Sequence, residues 1–347
     1  MKLKKISSVN NPKSIHGIFP YRGKISAVEA NTVLSQLKKG STILDPFCGS
    51  GTILYEANKS GFKSIGVDNN PICKSLSLGK IDINKNLDFE IKKIQNVIAL
   101  AKRGNRFKPM PEISSKHFHK NTAEQIMRVY KHLDNLTPYG LACFYGAIAL
   151  AARGCNHYKW TSSTVGKDIK PKRNIDFYEK LLNKIKKHHY PLKNPKNSIF
   201  YEKDSRRLSE FIKPNSVDFV FTSPPYFNCL DYTAYYTKII YNIEKKDRNK
   251  IRENLLQAYS EYEDNMTLIL NELKKVLKMN GRLIFVVGDK KVNGRLIRGE
   301  DFFDKIAPFK KIDSLERSYT GTSSKVFDSI NKTTRKEQII IWEKNEK

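Results

Sequence analysis

The chain is poor in the residues that announce disulfides, metals and membranes. Its 347 residues include five cysteines (Cys48, Cys73, Cys143, Cys155 and Cys229), scattered and never in a Cys-x-x-Cys pair. Neither a disulfide framework nor a zinc knuckle is expected from that spacing. The histidines lack ligand spacing too; His117-x-His119 and His188-His189 read as solvated pairs, and no metal site is expected. The longest nearly apolar run, Gly140 to Ala152, falls short of the roughly 20 residues that span a bilayer and reads as a buried helix. The basic start, Met1 to Lys5, has no apolar stretch behind it, so a signal peptide is not expected and the location is expected to be cytoplasmic. Acid is the other shortage. With 35 Asp+Glu against 63 Lys+Arg the net charge is +28, which points to a polyanionic partner, because neutralising phosphates releases their counterions. An AT-rich genome would favour Lys over Arg, but it does not account for the missing acids.

What is present begins with an alternation. Ala27 to Leu37 has the apolar spacing of an amphipathic helix, and Thr42 to Asp45 is a short buried strand. The strand runs into Pro46-Phe-Cys-Gly-Ser-Gly-Thr52, which opens a second helix; Gly61 ends that helix and Ser64 to Asp68 forms the next strand. Strand, glycine turn, helix, strand and acid make the first βαβ unit of a nucleotide-binding α/β sheet. From Leu87 to about Lys196 the alternation stops, and the sequence reads as helical, proline-punctuated and very basic. It resumes with strands at Ser198–Asp204 and Val217–Thr222, a long helix from Tyr259 to Leu277 stopped by Asn280-Gly281, and a buried strand at Arg282–Val287. Ile312–Arg317 and Gln338–Trp342 suit a closing antiparallel pair. The expected fold is α/β: a mostly parallel, Rossmann-like sheet with a helical insertion. The expected domains are residues 1–86, a basic helical insertion at 87–196, and 197–347.

The glycine turn is defined by what it lacks. No lysine follows Gly51, so a phosphate-binding P-loop is excluded, and Leu54 stands where a dinucleotide fingerprint needs its third glycine. A tight turn at a helix N-terminus remains, which lets backbone approach a ligand bearing ribose but no phosphate. Asp68, at the tip of the next strand, can accept hydrogen bonds from ribose hydroxyls. On local pattern alone, a helix-capping or turn aspartate is the lesser alternative for Asp45.

The second motif, Thr222-Ser-Pro-Pro-Tyr226, follows a buried strand and cannot prolong it, since Pro224 and Pro225 have no N–H and a fixed φ. The rigid bend presents Ser223, a backbone carbonyl and an aromatic ring at the carboxyl edge of the sheet, where open α/β folds bind ligands. An amino group on a base is a poor nucleophile because its lone pair is delocalised into the ring. Ser223 and the carbonyl between the prolines can hold its hydrogens, and Tyr226 can stack on a base flipped from the duplex. An isolated Pro-Pro-Tyr is as often a packed turn; the glycine loop upstream favours the chemical reading.

Together Asp45–Thr52, Asp68, Asp204-Ser205 and Ser223–Tyr226 resemble the amino-methyltransferases of DNA, the N4-cytosine and N6-adenine family. His16-x-x-x-Pro-Tyr-Arg-Gly-Lys24 is similar to the segment that closes over the methionine end of the family's cofactor, and Tyr226–Tyr232 looks like the stretch after the catalytic motif of cytosine-N4 members. The resemblance covers residues 10–85 and 198–343. It implies a site-specific methyltransferase with S-adenosylmethionine as cofactor and double-stranded DNA as partner, with a cognate restriction endonuclease in a restriction-modification pair. It implies a cofactor site of Tyr21, Lys24, Asp45, Pro46, Phe47, Gly49, Gly51, Thr52, Asp68, Asn69, Asp204, Ser205 and Thr222, and a catalytic set of Ser223, Pro224, Pro225 and Tyr226. Serine rather than aspartate before Pro-Pro-Tyr favours cytosine N4 over adenine N6. The Pro-Cys nucleophile of cytosine-C5 enzymes is missing. The family's separate target-recognition domain is not evident; in the basic insertion, Lys159, Trp160, Lys170, Lys172 and Arg173 are candidate DNA contacts. The insertion reads equally well as a helical lid or packing unit. Rival expectations are an RNA guanine-N2 or adenine-N6 methyltransferase and a catalytically silent nucleic-acid-binding homologue.

Overall fold

A computed structural model of the chain describes residues 14–345 apart from 22, 24, 105, 157–170, 172, 194, 196, 226–229, 257–258, 293–294 and 321–333. Its frame is a sheet in which β1 (Thr42–Asp45), β2 (Lys63–Val67), β3 (Ser198–Tyr201), β4 (Val217–Thr222) and β5 (Leu277–Gly288) run parallel. A hairpin of β6 (Lys290–Val292) and β7 (Arg295–Ile297) follows, then β8 (Lys310–Thr320) and β9 (Thr334–Glu343). β9 inserts antiparallel between β5 and β8, giving seven strands in the order β3-β2-β1-β4-β5-β9-β8. The order reverses between β1 and β4, which opens a crevice at their carboxyl ends.

Side chains alternate across the sheet, so neighbouring strand residues serve opposite cores. Ile43, Phe221, Ile284 and Val286 pack with α1 (Ala27–Leu34) and α2 (Thr52–Lys59). Leu44, Val220, Leu283 and Phe285 pack on the other face with α11 (Tyr262–Val276) and α12 (Gly299–Ile306). α9 (Tyr236–Ile243) and α10 (Arg248–Asn254) lie between β4 and α11 in the chain.

Between α3 (Pro71–Ile81) and β3 come α4 (Leu87–Arg103), α5 (Glu112–Ser115), α6 (Lys120–Tyr130), α7 (Pro138–Cys155) and α8 (Phe177–His188). Four of them are opened by side-chain caps: Asn86 on α4, His119 on α6, Thr137 with Pro138 behind it on α7, and Asp176 on α8. α4, α6, α7 and α8 share one apolar core with α3, with α9 and with Ile15, Ile18 and Phe19 near the start of the described chain. The apolar run at 140–152 lies buried in α7, and among the described residues no helix is long and apolar enough to cross a membrane.

Several boundaries differ from expectation for local reasons. The helix expected from Tyr259 starts at Tyr262, after a single 3₁₀ turn. Asn280-Gly281 does not separate helix from strand: β5 begins at Leu277, and the pair sits in a bulge where Val217 opposes Leu277 and Phe219 opposes Arg282. Asn280 takes φ +58° there. Lys290–Arg298, a polar and basic stretch of the sequence, folds largely into the β6–β7 hairpin. The closing antiparallel pair is present and longer than its apolar cores, because the flanking polar residues continue the ladder.

Phe285 is completely buried and meets Phe303 and Trp342 edge-to-face, with centroids 5.3 and 5.7 Å away. Phe285→Ala should lower the unfolding free energy by about 3–5 kcal/mol through lost burial and the cavity left behind. Urea unfolding of the variant against wild type checks it; a loss below about 1 kcal/mol would mean that this core collapses around the gap.

Candidate cofactor and catalytic cleft

Asp45 ends β1 and Thr222 ends β4, on neighbouring parallel strands. The Thr222 hydroxyl donates to Asp45 Oδ1 at 2.6 Å, both residues being buried, and the Phe47 N–H donates to the same oxygen at 3.2 Å. The chain then turns sharply. Gly49 and Gly51 adopt φ +50° and +71°, left-handed conformations that glycine takes without steric penalty. A Cβ on Gly49 would lie 2.9 Å from the Tyr21 ring, and one on Gly51 would meet the Ser77 backbone at 2.9 Å. Gly51 caps α2, whose first backbone N–H groups face the turn.

Asp68 follows β2 and is held by two backbone donors, Gly49 N–H to Oδ2 at 2.8 Å and Asn70 N–H to Oδ1 at 2.9 Å. Asn70 in turn accepts from the Tyr241 hydroxyl. These groups border a cleft of about 820 Å³ at the β1/β4 switch point. Of the expected cofactor residues, Tyr21, Asp45, Pro46, Phe47, Gly49, Thr52, Asp68, Asn69, Asp204 and Ser205 line it. Ser223 and Pro225 line the same cleft, so the two motifs, more than 170 residues apart in the chain, converge on one space. Thr222, Gly51 and Pro224 sit just behind it: Thr222 binds Asp45, Gly51 packs on Ser77, and Pro224 is buried. Ser205 donates to the Pro46 carbonyl at 2.5 Å, tying the segment after β3 to the glycine loop, while Asp204 is paired with Arg206 at 2.6 Å. The Asn69 amide donates to the Asn254 carbonyl. Lys24, Tyr226, Lys159, Trp160, Lys170 and Lys172 lie outside the described residues, and Arg173 is exposed just before α8.

Other lining residues had no assigned role in the sequence. Tyr232 stacks on Tyr21 with centroids 6.3 Å apart, and it belongs to the Tyr226–Tyr232 stretch, so a signal was present. Leu255 and Leu256 cover the cleft from the end of α10; an apolar pair after a polar helix gives no local indication of that placement. Pro225 is fixed from outside: the Tyr262 hydroxyl on α11 donates to its carbonyl at 2.6 Å.

The cleft is acidic within a very basic protein. Burial pushes the Asp45 carboxyl up to about 7, against the hydrogen bonds from Thr222 and Phe47 that favour ionisation. Burial raises Asp68 as well, opposed by its backbone donors. Two desolvated carboxylates suit a ligand that brings positive charge. Burial also pushes the Cys48 and Cys73 thiols well above their usual range, so neither is a thiolate nucleophile at neutral pH. The donors, the glycine cradle and the acid at the β2 tip fit a cofactor with a ribose, an ammonium and a cationic sulfur.

This sheet order, with an antiparallel strand next to the edge and a glycine loop after β1, defines the S-adenosylmethionine-dependent methyltransferase class. Within it the chain belongs to the N6/N4 DNA methylase family, whose model matches residues 27–78 and 217–347, more than half of the chain. Similar proteins include the type II methyltransferase M.BsoBI of Geobacillus stearothermophilus, 26% identical over 285 residues, covering 70% of this chain and 55% of that protein. M.MjaII of Methanocaldococcus jannaschii, also a type II methyltransferase, is 37% identical over 84 residues, 23% of this chain and 16% of its own. A probable tRNA (guanine(10)-N2)-dimethyltransferase of Methanothermococcus thermolithotrophicus is 57% identical over 35 residues, 10% of this chain and 22% of its own. The chain spans about half the length of M.BsoBI or less of these relatives.

A carboxyl raised in the folded state binds its proton more tightly there than in the unfolded chain, so Asp45 withdraws stability as pH rises from about 4 to about 7. In cofactor-free protein, Asp45→Asn should therefore gain stability relative to wild type across that window, while its affinity for S-adenosylmethionine falls. Thermal melts from pH 5 to 8 and calorimetric titrations check the two halves. A wild-type advantage that grows with pH would contradict the assigned electrostatics.

Proposed function

We propose that the chain methylates the exocyclic amino nitrogen of a base flipped out of double-stranded DNA, with cytosine N4 favoured over adenine N6. The observation that carries this reading is the joint lining of one cleft by Asp45, Gly49 and Asp68 on one side and by Ser223 and Pro225 on the other. S-adenosylmethionine supplies a methyl group made electrophilic by the sulfonium. The protein's own part is placement. Asp68 takes the ribose hydroxyls, Asp45 and the glycine turn take the amino-acid end, and Tyr21 closes over the turn. Ser223 and the carbonyl of Pro224 accept hydrogens from the amino group and favour a pyramidal, more nucleophilic nitrogen. Tyr226 stacks on the flipped base. Holding both partners in line in a closed space supplies much of the rate.

The Tyr262 hydrogen bond to Pro225 supports a rigid acceptor loop, since two consecutive prolines leave no N–H to anchor it by a ladder. The net charge of +28 supports a duplex partner, with Arg173 and its neighbours Lys159, Trp160, Lys170 and Lys172 as contacts. Serine at position 223 supports cytosine N4, and a matching endonuclease follows from the same reading. The short stretch shared with the tRNA enzyme favours RNA as the second reading.

Labelled methyl transfer to plasmid DNA and to RNA, followed by nucleoside mass spectrometry, separates them. N4-methylcytosine in DNA is expected; N6-methyladenine would overturn the base, and label in RNA alone would overturn the substrate. Ser223→Ala and Tyr226→Ala should each lower kcat by about 100-fold or more with cofactor affinity nearly unchanged. Wild-type turnover in either variant would remove it from the catalytic set.

A further inference from the structure

We infer that Lys184 and Gly146, on the helices between α3 and β3, are positioning residues for the cofactor cleft. They act by clamping segment 14–21, so that Tyr21 is held against the glycine turn. This rests on the cleft being the cofactor site. The segment is packed down by Ile15, Ile18 and Phe19, all buried. Its backbone crosses α7 at Gly146, where a Cβ would fall 1.9 Å from the Ile18 carbonyl oxygen; only a glycine leaves room for that crossing. From α8, Lys184 Nζ donates to the Gly17 carbonyl at 3.1 Å, and His188 Nδ1 lies 2.7 Å from the Ser14 carbonyl. On the opposite side His16 Nε2 lies 2.7 Å from Glu56 Oε1 of α2, the helix that the glycine turn opens. Five residues beyond His16, the Tyr21 ring rests on Gly49 and its hydroxyl accepts from Cys73 Sγ at 3.3 Å.

A lysine that is 9% exposed is a costly way to fill space, and a methionine would pack as well. Its use here is directional: it donates to the half-buried Gly17 carbonyl and fixes where the segment lies. Losing it removes that hydrogen bond and frees the segment to shift, and with it the Tyr21 ring that rests on the turn.

Calorimetry with S-adenosylmethionine and amide hydrogen exchange on the full chain test this. Lys184→Met should raise the cofactor Kd about tenfold and speed exchange at residues 17–21, with kcat at saturating cofactor within twofold of wild type. Lys184→Arg should restore most of the affinity. Asp176→Ala, which uncaps the far end of α8, should lower the melting temperature by a similar amount yet keep the wild-type Kd and exchange. Equal Kd and exchange in Lys184→Met and wild type, or an equal loss in Asp176→Ala, would overturn the inference. Gly146→Ala is the second probe; if it does not fold, the Lys184 pair still decides. Wild-type protein that binds no cofactor would overturn the cofactor reading itself, while the exchange comparison still judges the clamp.

Discussion

The hydrogen bond from Thr222 to Asp45 ties together the two strands on which everything chemical depends. β1 and β4 are neighbours where the strand order reverses, so their carboxyl ends diverge into the crevice that open α/β sheets offer to ligands. The glycine turn begins within three residues of Asp45, and the Ser-Pro-Pro bend begins one residue after Thr222. A single buried contact of 2.6 Å thus sets the spacing between the glycine turn and the Ser-Pro-Pro bend. Methyl transfer tolerates little error in that spacing, since reactive geometry demands approach near 3–3.5 Å. The arrangement works against the fold. A buried aspartate with its proton affinity raised to about pH 7 is a liability until positive charge arrives. The protein stores at this joint a demand for positive charge, which the proposed function assigns to the cofactor's ammonium and sulfonium.

That local demand is opposite in sign to the charge of the molecule as a whole. A net +28 draws in a polyanion over its surface, whereas Asp45 and Asp68 at the base of the cleft disfavour phosphate and favour a cation. The two fields do not cancel, because exposed charges are screened over about 8–10 Å while the buried pair is screened far less. On the proposed function, binding a duplex and binding a cationic cofactor are thereby separated by depth. The flipped base of that proposal, neutral and planar, is the part of the duplex that can pass from one field to the other.

What was legible in the sequence follows from how local each signal is. β1 and β4 were placed to the residue, because short buried runs bounded by Pro46 and Pro224 leave no freedom in their ends. The glycine turn was legible for the same reason: left-handed φ at Gly49 and Gly51 is a backbone demand that residue type reveals. The start of β5 was not, because the bulge at Asn280-Gly281 exists only through its pairing with β4, and Asn-Gly alone reads as a stop. Leu255 and Leu256 were illegible, since their partners across the cleft come from distant strands. Tyr262 was illegible as well; its ring reads as one more apolar position of α11, and the use of its hydroxyl is decided by a loop 37 residues away.

The same distinction bears on the helices between α3 and β3. Their basic composition invited a choice between a DNA-contacting unit and a packing unit, as if the segment had to be one of them. Their buried and exposed faces answer to different constraints. Buried, they share a core with α3 and with Ile15, Ile18 and Phe19, and they receive the crossing at Gly146. Exposed, they carry lysines such as Lys92, Lys93 and Lys187. Burial requires close packing, which fixes residues individually; attraction to phosphate requires only charge density, which is tolerant of where each lysine sits. A segment with both faces can brace the cofactor cleft from within and gather charge outside, and neither task restricts the residues that serve the other.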